Sequence, residues 1–320
     1  MSQTQFKARA LAKLFVMPVL YSDGTFMEDA IDLQASVYSK FEDSSKAFHS
    51  LPLKPCPPKG LLYVDQREFA VTTVSDDVID TLGSDDATTC HIVVLRHSGT
   101  GVTGLCHFDG CNTRQGVEDL VESVLKLGND GGSLELHVVG GFQDDKETSE
   151  KLSRELLSEF HKLEVDVYLM TACISGLNNT VKNGINYPIV YGIAVSVKTG
   201  AIFPASFEYK GPDKALRSLR HFIGDTDVKN IYDGTSHRLV IGPYNYGDFP
   251  NAWILMQQSD STLRKYLSTS PAVEPEYFEQ SVRAALGFYL SNPDAASVFP
   301  DGQPHAFTMT PDGQWSAVTP

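Results

Sequence analysis

The sequence predicts an α/β protein, a layered sandwich in which helices flank a mixed, largely antiparallel sheet. Two observations support this fold class: β-prone runs outnumber helical ones, and hairpins alternate with amphipathic helices along the chain. The 320 residues exceed one ordinary domain and fall short of two. With 42% hydrophobic and 21% charged residues, the composition is typical of a globular protein with a substantial core.

The clearest element is a hairpin of two β-prone runs, 90–97 and 102–108, joined by the turn SGTG at 98–101. A helix is predicted over 115–127, because apolar residues recur there at i, i+3, i+4, i+7 and i+8. The same criteria predict strands at 61–64, 68–73, 134–139, 165–173, 188–197 and 201–207, a hairpin of 228–232 with 238–244, and helices at 152–163, 212–223 and 276–290.

Three segments are predicted along the chain. The stretch KPCPPKG at 54–60 holds three prolines and a glycine, which interrupt helix and strand alike and indicate a linker. We therefore expect an N-terminal extension and Pro-rich linker over 1–59, a main α/β domain over 60–293, and a C-terminal hairpin or tail over 294–320 packed on it. Met17 leaves an alternative start open, and the basic, acid-free segment 1–22 leaves open a mitochondrial targeting role.

Charge and cysteine content limit the classes of partner and compartment. A net charge of −14 repels phosphate backbones and anionic membrane surfaces, so we expect neither nucleic acid nor membrane as a partner. No apolar run approaches the roughly 20 residues of a membrane-spanning helix. An odd count of five cysteines in a chain of this length predicts free thiols and a reducing compartment, the cytoplasm and with it the nucleus.

Candidate chemistry concentrates at 82–110, which holds two of the five cysteines and three of the nine histidines. If the hairpin is centred between residues 99 and 100, His107 lies opposite Ile92. Cys90 is two residues before Ile92, so Cys90 and His107 share a face of the sheet. His91 is adjacent to Cys90 in sequence but points to the opposite face. The hairpin register therefore predicts a Cys90–His107 pair.

A series of segments across 60–293 resembles the eukaryotic protein N-terminal asparagine amidohydrolases. The segments are GLLYV at 60–64, LGSDDATTCHIVVLRH at 82–97, VVGGF at 138–142, VYGIAV at 190–195, IGPY at 241–244 and LSTSP at 267–271. The resemblance implies that Cys90 is a nucleophile that hydrolyses the side-chain amide of an N-terminal asparagine through a thioester, giving aspartate and ammonia without a cofactor. It also implies that the product passes to an arginyl transferase and a ubiquitin ligase of the N-degron pathway.

A second, sparser resemblance supports the same pair. Gly83 and six intervening residues before Cys90, with His107 seventeen positions later, are similar to the arrangement in bacterial chemotaxis-receptor glutamine deamidases, where Ser84 matches a helper hydroxyl. We expect His107 to act as the base and to lower the apparent pKa of the thiol, and Ser84 to fix its tautomer. The backbone N–H groups of Thr89 and Cys90 are the candidate oxyanion donors.

Selectivity for a free amino terminus requires an anionic partner for the substrate ammonium. Asp85 and Asp86 are the first candidates, although the pair also fits a solvated turn or a helix cap. Glu68, on a predicted adjacent strand, and Asp109, near the Cys90–His107 pair, are the weaker candidates.

Two alternatives stay open at this point. One is a glutamine or internal-asparagine deamidase that uses the same Cys-His chemistry. The other is a zinc-binding interaction module, because Cys90-His91 and Cys106-His107 repeat a Cys-His doublet. We expect no metal, since adjacent strand residues point apart and the chain has no Cys-x-x-Cys motif.

Overall fold

A computed structural model describes residues 19–25, 27, 32–128 and 131–318. Met17 and the basic residues of the N-terminal segment lie outside these ranges. In the described chain the helices are α1 Ser39–His49, α2 Thr113–Gly128, α3 Thr148–His161, α4 Lys214–Leu219, α5 Ala252–Met256, α6 Asp260–Leu267, α7 Phe278–Ser291 and α8 Ala295–Val298. A π-helical turn, Leu33–Tyr38, leads into α1, and 3₁₀ turns occur at Ser175–Asn178 and Pro300–Gly302.

The strands belong to four sheets. In chain order they are β1 Leu20–Tyr21, β2 Lys54–Cys56, β3 Leu61–Tyr63, β4 Glu68–Thr72, β5 Thr81–Ser84, β6 His91–His97, β7 Thr103–Phe108, β8 Leu134–Gly140, β9 Val167–Ile174, β10 Asn179–Lys182, β11 Ile185–Pro188, β12 Ile193–Ser196, β13 Ile202–Phe207, β14 Lys229–Asn230, β15 Tyr232–Asp233, β16 Arg238–Ile241, β17 His305–Met309 and β18 Trp315–Ala317.

The central sheet has seven strands in the order β1-β9-β8-β6-β7-β4-β14, and a second sheet has five, in the order β2-β13-β12-β5-β3. A third sheet, β15-β16-β17-β18, includes the C-terminal hairpin, and β10 and β11 form a two-stranded sheet. Nine of the fourteen strand pairings among the described residues are antiparallel. The predicted class, a mixed and largely antiparallel α/β sandwich, is confirmed.

The two faces of the central sheet bury different partners. One face, which includes Val93 and Cys106, packs in a core with residues of α2 and α3. The other, which includes Ile92 and Leu105, shares a core with residues of β5 and β12 in the five-stranded sheet. Strand residues alternate between these cores because successive side chains point to opposite faces. The protein therefore has three layers, helix, sheet and sheet, and one core lies between the two sheets.

The hairpin that carries the candidate residues has the predicted register. Ile92 pairs with His107, and His91 pairs with Phe108. The predicted helix at 115–127 is α2, and the predicted strand at 134–139 is β8. These elements are confirmed because each has a strong periodic pattern within one continuous segment.

Four predicted elements differ from the structure. In the hairpin predicted for 228–232 with 238–244, the first run is divided, since β14 pairs in parallel with β4 and β15 pairs with β16. Lys54–Cys56 forms β2, paired in parallel with β13 at the sheet edge, where a proline is tolerated, so the expectation that the prolines exclude a strand is wrong there. The single strand predicted at 188–197 is divided between β11 and β12, because the Asn178 side chain hydrogen-bonds the Val190 backbone in place of a neighbouring strand. The helix predicted at 212–223 is shorter, Lys214–Leu219.

None of the helices within the described ranges combines the length and the apolar composition required to cross a membrane.

Candidate active site

Cys90 and His107 lie on the same face of the central sheet. Cys90 immediately precedes β6, two residues before Ile92, and Ile92 pairs with His107 on β7. Directly opposed residues of an antiparallel pair point to the same side, as do residues two apart in a strand. Both side chains therefore point into the layer between the two sheets, as the sequence predicts.

Ser84 reaches His107 from the facing sheet. It is the last residue of β5, and its Oγ lies 2.7 Å from the Nδ1 of His107, with both residues buried. The Nε2 of His107 is also buried, and none of the described residues forms a hydrogen bond with it. The contact with Ser84 thus uses one ring nitrogen and leaves the other for proton transfer.

The neighbouring histidine and cysteine point the other way. His91 lies 2.7 Å from Ser153 of α3, measured from Nε2 to Oγ, and Cys106 is buried in the core between the sheet and the helices. Neither Cys-His doublet can therefore converge on one ion. Within the described ranges, the one group of three or more potential metal ligands is Asp76, Asp77 and His237, which includes no cysteine. The geometry argues against the zinc-module alternative.

The loop between β5 and β6 is held by a lysine. The Nζ of Lys210 donates to Asp85 Oδ1 at 2.7 Å and to Asp86 Oδ2 at 2.6 Å. Tyr63 donates to the same oxygen of Asp85 at 2.7 Å, and Tyr277 donates to Asp86. Burial, and then the neighbouring Asp86 charge, raise the pKa of Asp85 to about 6. Both acids therefore already bind a cation of the protein.

The other two candidate acids are also paired. Glu68 and Arg217 form an ion pair at 2.6 Å in which both side chains are 0% exposed. Asp109 accepts from Arg67 Nε at 2.6 Å. Burial alone would raise the pKa of Asp109, but the Arg67 charge together with hydrogen bonds from Cys111 and Gln66 outweighs burial and lowers the pKa to about 2. Glu68 has no open side from which a substrate ammonium could approach, so the structure contradicts its assignment to substrate binding.

The loop between β5 and β6 packs closely against the backbone that follows β11. A Cβ on Gly192 would lie 2.4 Å from the Cβ of Asp85, so only glycine lets the chain after β11 pass the loop. The N–H of Ala87 donates to the carbonyl of Tyr191 at 2.9 Å, and the N–H of Gly141 donates to the carbonyl of Cys90 at 2.9 Å. These contacts fix the backbone on both sides of the nucleophile.

The candidate oxyanion donors are unoccupied. No acceptor is found within the described ranges for the N–H of Thr89 or of Cys90, while the flanking Ala87 and Thr88 N–H groups are both bonded. Adjacent unpaired N–H groups at a nucleophile suit a developing negative charge. Their role stays a prediction, because it depends on where a substrate oxygen lies.

The electrostatic environment favours a neutral resting pair. Burial, and then the charges of Asp109 and Glu274, raise the pKa of the Cys90 thiol well above its ordinary value. Burial also lowers the pKa of His107. At neutral pH the site therefore holds a thiol and a neutral imidazole. The expectation that His107 lowers the apparent pKa of the thiol stays a prediction, and burial opposes this effect because it disfavours both charged forms.

This environment predicts how Cys90 reacts with an alkylating agent. Only the thiolate reacts, so at pH 7 iodoacetamide should modify Cys90 more slowly than it modifies free cysteine, whose pKa is about 8.5. The rate should still be rising above pH 9. Mass spectrometry of the peptide containing Cys90 measures it site by site. A rate that already reached its plateau below pH 8 would indicate a thiolate–imidazolium pair and contradict the expectation.

Sequence reasoning missed two charged residues of the site, Lys210 and Glu274. Nothing in the local pattern around Lys210 indicates its contact with the 85–86 loop. Glu274 follows the segment LSTSP at 267–271, which was one of the family-like segments, so that segment was a usable signal. Thr269 within it lies 2.9 Å from Thr89, measured between the Oγ1 atoms.

Comparisons with known proteins agree in one description. The family model described as protein N-terminal asparagine amidohydrolase matches residues 51–317. The protein N-terminal asparagine amidohydrolase of Homo sapiens is 42% identical over 263 residues, which cover 82% of this chain and 84% of the human protein. That of Sus scrofa is 41% identical over 281 residues, which cover 87% of this chain and 90% of the Sus scrofa protein. That of Arabidopsis thaliana is 29% identical over 299 residues, 85% of each chain.

Proposed function

The chain belongs to the protein N-terminal asparagine amidohydrolase family, and from this premise we propose that it hydrolyses the side-chain amide of an N-terminal asparagine in peptides and proteins. The products are an N-terminal aspartate and ammonia. The observation that carries the proposal onto these residues is the placement of Cys90 and His107 on one face of the sheet, with Ser84 bonded to the imidazole.

In the first half of the reaction, the Sγ of Cys90 attacks the amide carbon. Because the resting thiol is protonated, its proton passes to the Nε2 of His107 as the carbon–sulfur bond forms. Nε2 is basic only if Nδ1 carries the ring proton. In that tautomer the Nδ1–H group donates a hydrogen bond to the Ser84 hydroxyl oxygen. The oxyanion accepts hydrogen bonds from the backbone N–H groups of Thr89 and Cys90.

In the second half, the imidazolium of His107 returns the proton to the departing nitrogen, and ammonia leaves as the carbon–nitrogen bond breaks. A thioester between Cys90 and the side-chain carbonyl remains. Water then attacks the carbonyl carbon, His107 takes the proton of this water, and the thiol is regenerated as the carbon–sulfur bond breaks. The cycle consumes one water for each amide, and no step requires a cofactor.

The experiment that tests the function compares four peptides that differ only at their head: Asn, Gln, acetyl-Asn, and Asn placed second. Ammonia release from the Asn-headed peptide alone supports the proposal. A glutamine side chain is one methylene longer, and a shape-selective pocket distinguishes such substrates by about 1 to 3 kcal/mol, or roughly 10- to 200-fold in kcat/KM. Equal rates for the Gln-headed or acetylated peptide would instead favour the glutamine or internal-asparagine deamidase.

The cellular setting is part of the same proposal. The aspartate product is passed to an arginyl transferase and then to ubiquitin-dependent degradation, as expected of the N-degron pathway. We place the reaction in the cytoplasm and nucleus. All five cysteines of the chain are free thiols, and a reducing compartment keeps Cys90 able to attack an amide.

A further inference from the structure

Glu274 is an acid within electrostatic range of the nucleophile, and it forms no ion pair with the described residues. Its negative charge contributes to the raised pKa of the Cys90 thiol and to that of Tyr191, so the carboxylate lies within electrostatic range of both. In the described part of the chain no lysine, arginine or histidine forms an ion pair with it. By contrast, each of the four acids named from the sequence has a basic partner within 2.7 Å.

The carboxylate is fixed through one of its two oxygens. Ser268 Oγ donates to Oε1 at 2.5 Å, and Ser270 Oγ lies 3.5 Å from the same oxygen. Oε2 accepts no hydrogen bond from the described residues. One oxygen therefore sets the orientation, and the other keeps its capacity for a charged donor.

The guanidinium of Arg264 binds the backbone of Glu274, and its charge acts on the Glu274 carboxylate without forming an ion pair with it. Arg264 donates from Nη1 to the carbonyl of Glu274 at 3.1 Å and from Nη2 to the carbonyl of Pro275 at 3.0 Å. Its charge is paired with Glu279, at 2.9 Å from Nη2. Arg264 thus positions the turn around Glu274, while its own charge is paired with the carboxylate of Glu279.

The segment that carries Glu274 is attached to the nucleophile loop. The contact between Thr269 and Thr89 joins it to the residue immediately before Cys90. Burial raises the pKa of Glu274, and the Ser268 hydrogen bond and the Arg264 charge only partly oppose this effect. A partly desolvated carboxylate without a cation is stabilised when a cation binds to it.

We propose that Glu274 binds the α-ammonium group of the substrate's N-terminal residue. This inference rests on the proposed function and adds the group that distinguishes a free amino terminus from any other asparagine. The α-nitrogen lies only three bonds from the side-chain amide carbon. A carboxylate that binds it must therefore lie near the nucleophile. Glu274 lies within electrostatic range of Cys90, whereas Glu68 is enclosed in its ion pair with Arg217.

The same contact activates the nucleophile. In the empty site the charge of Glu274 opposes ionisation of Cys90. When a substrate ammonium neutralises that charge, the opposition is removed and transfer of the thiol proton becomes easier. A substrate without a free amino group thus loses both the contact and the activation.

The test uses Glu274→Gln, with Glu276→Gln as the matched control, since Glu276 is an exposed acid two residues away. Two peptides are compared: one headed by Asn and one headed by a succinamoyl group, which is Asn without its amine. We expect Glu274→Gln to lower kcat/KM for the Asn peptide about 10- to 100-fold, the range for hydrogen bonds to charged groups. The control should remain within about threefold of wild type.

The ratio of the two substrates is decisive. Wild type should prefer the Asn peptide by at least about tenfold, and Glu274→Gln should treat the two peptides alike within about threefold. This ratio does not depend on the fraction of enzyme that is folded. Equal losses on both peptides would show that Glu274 is only structural, and would overturn the inference.

A second measurement does not depend on activity. Glu274→Gln removes a negative charge near Cys90, so at fixed pH iodoacetamide should modify Cys90 about two- to tenfold faster than in wild type. Catalysis would thus fall while thiol reactivity rises, a combination that general misfolding of the site does not produce. An unchanged alkylation rate would count against the inference. Absence of ammonia release by wild type would instead refute the proposed function.

Discussion

Cys90→Ala is expected to lower kcat for ammonia release from an Asn-headed peptide by about 10⁴- to 10⁶-fold, the range seen when the nucleophile of a covalent mechanism is removed. We expect no other described thiol to replace it. Cys106 faces the helices, and Cys173, although on the face that carries His107, lies on β9, three strands from β7, where its Sγ contacts His49. Cys90→Ser should be nearly as inactive, since a hydroxyl is a much weaker nucleophile at neutral pH. Ammonia release and the mass of the product peptide measure both variants.

The fold should survive this substitution. Cys90 precedes β6 and is partly exposed, and its carbonyl keeps the hydrogen bond from Gly141 whatever the side chain. We expect a change in unfolding free energy of no more than about 1 kcal/mol. Cys111→Ala is the matched control, because Cys111 is also a partly exposed thiol near the site. If Cys90→Ala kept activity within tenfold of wild type while Cys111→Ala lost it, the nucleophile would be wrongly assigned.

His107→Ala is expected to lower kcat by about 10²- to 10⁴-fold, the usual contribution of a general acid–base. Added imidazole should restore part of the activity, because it can occupy the space left by the ring and transfer the same protons. Ser84→Ala should have a smaller effect, about tenfold in kcat with little change in KM, since Ser84 acts through the orientation of the imidazole.

The pH dependence of kcat/KM tests the role of His107 as a base. Burial lowers the pKa of His107, so the imidazole is neutral at pH 7 and stays neutral below its ordinary pKa of 6.5. Protonation removes the base, so kcat/KM should fall only as the pH decreases through that lowered value. His91→Gln is the control for sequence proximity, because His91 points to Ser153 on the other face. The activity of each variant is divided by the amount of Cys90 that iodoacetamide can alkylate. If His91→Gln then lost as much activity as His107→Ala, the assignment of His107 as the base would be contradicted.

The sequence was sufficient for the Cys90–His107 pair because the geometry of a short hairpin is local. Two adjacent strands and a tight turn fix the register, and the register fixes which side chains share a face. The pairing of Ile92 with His107 confirms that register. The same rule placed His91 on the opposite face, although it is the histidine closest to Cys90 in the chain.

The charged groups around the pair could not be assigned in this way. Asp85 and Asp86 are attractive ammonium ligands in the sequence, but Lys210, more than a hundred residues away, binds both. Glu68 is withdrawn into an ion pair with Arg217 at 0% exposure. Whether a carboxylate is open or neutralised depends on which distant cation packs against it, and the sequence contains no local signal for that.

The sequence by itself determined the fold class, the family and the two residues proposed to exchange the proton, because periodicity, a long series of family-like segments and hairpin register are all properties of continuous stretches. Tertiary structure alone decided that Ser84 reaches His107 from the facing sheet and that burial raises the pKa of the Cys90 thiol. It also decided that Glu274 forms no ion pair with any of the described residues. The physical reason is that burial and ion pairing depend on the packing of segments that are far apart in the chain.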